Sequence, residues 1–234
     1  MQKKAKDEAR KARNDVYRQH ILEAAEEVFA EKGFEAAKLQ DIGTRAGLSM
    51  GTIYAIFPGK TELFTAILEE RGQEVADLVE AVARADTSPR EALDRLIDDY
   101  IGWFVEHPAF LRMHLRSGVS WALGPALATA GQIEVWQEIH RMHADIFRRG
   151  VESGAFVAED PEFLAKLFTV IDQVLLAEWV AGGMKDDRSH LAARLRAQVE
   201  RSFCQTRGDS VPSPPRGQST DAAPLPGSLR SAAR

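Results

Sequence analysis

The stretch "LQDIGTRAGLSMGTIYAIFPGK", residues 39–60, decides the fold. It reads as two short helices joined by a tight turn. Leu39, Ile42 and Ala46 give the first helix, 39–46, one apolar side, and Gly47 ends it. The second begins at Ser49, which can cap it, and Pro58-Gly59 stops it after barely two turns. A helix that short is marginal in water and buries little, so it persists only if its surroundings hold it. Ile53 and Phe57, four residues apart, share an inward side, which leaves Thr52, Tyr54 and Ala55 outward. This is the layout of a helix-turn-helix. In that layout the first helix lies across the phosphate backbone of a duplex and the second enters the major groove. The free N–H groups at Ser49 can face a phosphate, and Gly51 has no Cβ to hold a sugar-phosphate strand away.

Working outward, nearly every segment has helical periodicity and none alternates with period two. A first helix is expected over 16–32, capped by Asn14 or Asp15, with Ile21, Ala25, Val28 and Phe29 on one face. Gly33 sits where a left-handed C-cap belongs, and Phe34 folds back behind it. After Pro58-Gly59 come helices at 61–84, at 89–106 behind Ser88-Pro89, and at 109–123 between His107-Pro108 and Gly124-Pro125. Three more follow at 133–152, at 161–180 capped by Asp160, and at 189–204. The class is all-α: an N-terminal three-helix helix-turn-helix domain and a larger C-terminal helical domain. Boundaries are expected at 1–14 for a basic disordered arm, 15–62 for the DNA-binding domain, 63–205 for the helical domain and 206–234 for a disordered tail. Residues 207–234 hold five of the ten prolines and cannot bury a core.

Composition narrows the function. The chain has 234 residues, 44% of them hydrophobic, enough for a sizeable core. No run of 18 apolar residues suggests a membrane span, and the charged N-terminus lacks the apolar run of a signal peptide. The single cysteine, Cys204, leaves no internal disulfide and fits a reducing compartment, so a cytoplasmic protein without membrane partners is expected. The net charge of −5 is uneven: residues 1–60 carry +2 and the remainder −7, with six basic to two acidic residues in the first 13. A basic front on an acidic chain suits a polyanion at the front only.

At these residues the sequence resembles the tetracycline-repressor (TetR) family of transcriptional regulators. The likeness runs over 21–68, carried by AEKGF at 30–34, DI at 41–42, AGLS at 46–49, GTIY at 51–54 and FPGK at 57–60. The remaining two-thirds resembles the family only in being helical and of the expected length. The resemblance implies double-stranded operator DNA as partner. It implies that Ser49, Gly51, Thr52 and Tyr54 lie against DNA, that Thr44 and Arg45 face its backbone, and that Lys60 grips a phosphate. There are departures. Lys38 stands where Thr or Ser usually caps the second helix, a loss of roughly 1 kcal/mol, although its ammonium can hold a phosphate. Gly43 replaces the usual Ala, costing about 1 kcal/mol of propensity, and can allow a closer crossing with the third helix. Met50 replaces a frequent Lys or Arg, and Ile56 a frequent His or Tyr. The reading helix therefore carries no charge, and apolar contacts of Met50 and Ala55 with thymine methyls, plus hydrogen bonds from Thr52 and Tyr54, are its expected readout.

The large remainder must bury its apolar faces. The resemblance assigns the last two helices to a homodimer interface, for which Phe168, Ile171, Leu175, Trp179, Leu195 and Val199 are the expected residues. Independently, helix 161–180 is apolar around much of its circumference and needs cover on two sides. The middle of the chain is rich in aromatic and polar-tipped residues, and Tyr100, Phe104, Phe110, His114, Trp121, Trp136 and His140 are the expected lining of a small-molecule effector pocket. Core packing explains these residues equally well. His140 and His143 share a helical face without a third ligand, so no metal is expected, and no cofactor. No nucleophile elbow, phosphate loop or metal-ligand set suggests an enzyme. The expected function is a sequence-specific DNA-binding regulator, a repressor released by a small hydrophobic effector. A regulator without an effector, and a helical enzyme or carrier with an interaction module at its front, stay open.

Overall fold

The computed structural model describes residues 2–118 and 129–204. Over these the chain is helical, and its one β-type contact is an isolated bridge between Phe156 and Cys204. The front unit holds α1 (Gln2–Ala36), α2 (Leu39–Ala46) and α3 (Met50–Ile56). Behind it lie α4 (Lys60–Ala83), α5 (Pro89–Glu106), α6 (Pro108–Arg116), α7 (Ala130–Glu152), α8 (Pro161–Ala181) and α9 (Arg188–Phe203). α4 packs along α7, α7 along α8, and α5 against α9, while α1 reaches back onto α4 and α6.

Local chemistry sets most boundaries. Ser88 and Glu91 form a reciprocal capping box, with Pro89 in the first turn of α5. Gly47 (φ 65°, ψ 27°) ends α2 in the left-handed region, and the Leu48 N–H reaches the Gly43 carbonyl at 3.0 Å. The Asp160 side chain caps α8 and the Asp187 side chain caps α9. Ile21, Val28, Phe29, Ile42, Ile53 and Leu63 form the buried centre of the front unit. Phe29 and Phe34 meet Phe64 of α4 with ring centroids 5.3 and 5.0 Å apart.

Four expectations need correction. Residues 2–14 are not an unstructured arm: α1 continues back to Gln2, and Asn14 and Asp15 lie inside it instead of capping it. The segment is mostly Lys, Arg, Glu and Ala, with no Gly or Pro, and such residues favour helix even where nothing packs on them; from Glu8 to Val16 every residue is exposed. Gly33 is not an αL cap. Its φ of 76° comes with ψ of 164°, a glycine conformation that kinks the chain into one further turn. α6 ends at Arg116, where Ser117 and Gly118 (φ 69°) turn the chain, so the helix expected over 109–123 is shorter; its later residues lie outside the described ones, as does the tail over 206–234.

The fourth correction concerns the dimer residues. Phe168, Leu175, Trp179, Leu195 and Val199 are buried within the protomer, so they are not a surface for a partner; Ile171 alone of the six is half-buried. α8 is apolar on two sides, and periodicity does not say which faces inward. The side facing outward carries Phe163, Val170 and Val174, at 48%, 40% and 55% exposure.

Candidate nucleic-acid interface

α3 is held from below and bare above. Ile53 and Phe57 are buried against the front core, whereas Gly51, Tyr54 and Ala55 are exposed, Tyr54 at 54%. Met50 and Thr52 are half-buried at its flanks. The Ser49 hydroxyl accepts from the Thr52 N–H at 3.2 Å and pairs with the Thr52 hydroxyl at 3.0 Å, which fixes both side chains at the helix entrance. Gly43 lies where α2 crosses α3: a Cβ there would sit 3.3 Å from the Leu48 carbonyl oxygen and from Met50 Sδ. The departure from Ala thus permits the tight crossing that fixes the angle between the two helices. A Cβ on Gly51 would meet nothing closer than Ser49 Oγ at 3.8 Å, so that glycine leaves its outward side open.

The charged groups around α3 are largely engaged by the protein. Arg45 grips Glu31 with two hydrogen bonds of 2.8 Å and reaches Glu27 at 3.3 Å. That bond, with the arginine's charge, holds the Glu31 carboxyl below its ordinary range. Lys32 binds Asp41 at 2.9 Å and lowers its carboxyl likewise. The Thr44 hydroxyl donates to the Gln40 carbonyl at 2.8 Å. Lys38 makes no side-chain cap; its N–H donates to Asp41 at 3.3 Å, and its ammonium forms no ion pair with a described residue.

At Lys60, where a phosphate-gripping side chain is expected, the ammonium is engaged within the protomer. It donates to the carbonyls of Phe34 (2.6 Å) and Glu35 (3.1 Å) and sits 4.4 Å from the centre of the Phe34 ring. It satisfies the end of α1 and locks α4 to the front unit. The glycine kink at Gly33, which turns those carbonyls toward α4, is the cause, and no local sequence signal announces it.

A cavity of about 200 Å³ opens behind the interface, between α4, α5, α6, α7 and α8. Tyr100, Phe104, Phe110, His114, Trp136 and His140 all line it; Trp121 lies outside the described residues. The Trp136 and His140 rings stack at 5.5 Å, and His140 Nε2 lies 3.0 Å from Glu162. His143 and the Tyr100 hydroxyl are 3.2 Å apart, and burial, with the nearby His140, pushes His143 down to about 3. His140 and His143 are thus spoken for by protein groups, and among the described residues no three His, Cys, Asp or Glu gather to hold a metal ion.

Sequence reasoning missed three buried charges. Glu26 of α1 and Arg71 of α4 form an ion pair of 2.7 Å, and Arg71 also binds Glu74 at 2.6 Å while lining the cavity. Burial raises the Glu26 carboxyl against the pull of Arg71. Asp172 of α8, also in the cavity wall, is raised to about 7 by burial. The available signal was a charged residue inside an apolar face: Glu26 beside Ala25 and Val28, and Asp172 on the face of Phe168, Leu175 and Leu176.

Comparison with known proteins bears on this geometry. Residues 21–67 match the tetR family of bacterial regulatory proteins. The chain is 33% identical over 93 residues to the transcriptional activator FasR of Mycolicibacterium smegmatis, covering 40% of this chain and 42% of FasR. It is 34% identical over 98 residues to the transcriptional repressor NicS of Pseudomonas putida, covering 42% and 46%. The matched part thus spans less than half the length of either relative. The fold matches that of FadR from Bacillus subtilis, solved with stearoyl-CoA, at a TM-score of 0.62 and 18% identity over 77% of this chain and 96% of that one.

Proposed function

We propose that this chain, whose residues 21–67 match the tetR family of bacterial regulatory proteins, is a dimeric, sequence-specific DNA-binding transcriptional regulator, a repressor released from its operator by a small apolar effector. The observation that carries the reading is α3: a two-turn helix, anchored by Ile53 and Phe57, whose opposite side is bare and uncharged. Such a surface buries nothing within the protomer and has the width of a major groove. Tyr54, Thr52, Met50 and Ala55 would read base edges, with Ser49 and Gly51 at the sugar-phosphate strand. Lys38, Thr44 and the basic α1 extension would meet phosphates directly. Arg45 would exchange its carboxylates for one; exposed pairs of this kind contribute about 0–1 kcal/mol, so the exchange is cheap. Lys60 would act on DNA through the fixed position of α4.

A homodimer would join through the outward side of α8, where Phe163, Val170 and Val174 want cover. Release would run through α4. Arg71 touches both the cavity and, through Glu26, the helix that carries the reading head. A ligand that wedges α4 away from α7 and α8 would drag α1 with it and change the spacing of the two heads. NicS is a repressor and FasR an activator, so the sign of regulation is part of the proposal. Gel-shift titration of the protein against a selected operator tests it. Saturable, salt-sensitive binding that is clearly weakened in Tyr54→Ala supports the reading, and binding unaffected by that change sinks it.

A further inference from the structure

Among the described residues, the cavity wall holds a buried carboxyl oxygen that the fold does not use. Asp172 is 2% exposed, and its Oδ1 has no hydrogen-bond partner among the described residues. It caps no helix and forms no ion pair there. A buried, unpaired carboxyl is destabilising. The other charge in the wall is balanced already. Arg71, the one arginine among the described lining residues, is matched by both Glu26 and Glu74, and Glu74 also accepts from Trp103 at 3.1 Å. Glu69, the remaining lining carboxylate, accepts from Thr129 at 3.0 Å. His143 is bonded to Tyr100 and His140 lies against Glu162. Among the described lining residues there is no lysine, Arg71 is already matched, and His114 is the one further imidazole beside His140 and His143, so an entering anion would meet no unpaired arginine or lysine and would face Asp172. An entering cation would find a carboxylate without a partner and a wall of aromatic rings, Phe64, Phe104, Phe110, Trp136 and Phe168 among them, whose faces attract positive charge.

We infer that the cavity takes an amphiphilic cation, an apolar body carrying a protonated amine, with Asp172 as its counter-ion. This rests on the reading of the cavity as an effector site and gives that site its chemical class. Asp172 is then held unpaired in the empty protein so that a ligand can pair with it.

The test uses three probes on one apolar skeleton, phenylbutylamine, phenylbutanol and phenylbutanoate, titrated by calorimetry into the full-length protein and into its Asp172→Asn and Asp172→Leu variants. The amine should bind wild type at least tenfold more tightly than the alcohol, and the carboxylate most weakly. Asp172→Asn should erase the amine's advantage and leave the alcohol's affinity within about twofold. Both variants, empty, should melt at or above the wild-type temperature, whereas a carboxyl with a structural task would give lower melting in both. Equal binding of amine and alcohol, tightest binding of the carboxylate, or an amine preference that survives in Asp172→Asn overturns the charge assignment while leaving the cavity as an effector site. Binding of none of the three overturns both.

Discussion

The front unit and the helical bundle behind it carry their chemistry in opposite places. In α3 the informative residues point away from the protein, and the buried ones, Ile53 and Phe57, only hold them there. In the bundle the informative residues point inward: Asp172, Arg71 and the aromatic wall meet one another across five different helices. A surface built on one short helix is set by residues close together in the chain. A cavity is set by which faces of distant helices come together. The Glu26–Arg71 pair is the buried charged contact between these two organisations, beside the packing of Phe29 and Phe34 on Phe64.

Breaking that contact should give the largest effect. Arg71→Met leaves Glu26 buried without its partner and should destabilise the protein by about 3–5 kcal/mol in urea unfolding. A double change to Glu26→Leu and Arg71→Met should recover most of the loss. The recovered protein should bind operator but respond weakly to an effector, because the charged link between cavity and α1 is gone. Full effector response in the double variant would remove this pair from the release mechanism.

A second effect belongs to the bundle alone. The Asp172 carboxyl is raised from 3.8 to about 7. Its protonated form is favoured in the folded chain, so stability is fully present below the unfolded value and is lost as pH rises to about 7. Asp172→Asn should remove that loss. The stability difference between variant and wild type should be near zero at pH 4, grow to at most about 4 kcal/mol by pH 7, and then level off. A difference independent of pH would contradict the burial of that group.

The front unit should show the reverse pattern, with small changes in stability and clear ones in binding. Tyr54 is more than half exposed, so Tyr54→Ala should alter folding by less than about 0.5 kcal/mol. Its loss of affinity for the selected operator should be about 1–3 kcal/mol, with relaxed preference at one or two base pairs. Gly51→Ala sharpens the comparison with the smallest effect. The added methyl has room and improves helix propensity, raising stability by up to about 1 kcal/mol, yet it projects where a sugar-phosphate strand would run, so affinity should fall while the melting temperature rises.

How much of this was legible follows the same division. The ends of α2, the start of α3, the capping box of α5 and the cap of α8 are written in adjacent residues, Gly47, Ser49, Ser88 with Glu91, and Asp160, and the helices begin and end where those residues place them. The lining aromatics were legible as a group because their density was unusual. The inward and outward sides of α8 were not, since Phe168 and Val170 are equally apolar and only packing against α7 and α9 separates them. The partners of Lys60 and Arg45 were not legible for a related reason: a cation near the reading helix suggests phosphate, and nothing adjacent in sequence shows that the Phe34 carbonyl and the Glu31 carboxylate engage them within the protomer. Residues 2–14 misled because a charged composition describes solubility, whereas helix propensity decides the backbone.

Selection of bound sequences from random duplex DNA tests the central claim, that the bare side of α3 enters a major groove in a two-fold assembly. The account predicts a palindromic site whose half-sites are centred about one helical turn, roughly 34–36 Å, or a multiple of it apart. A single unpaired half-site, or no enrichment even at low salt, would contradict it.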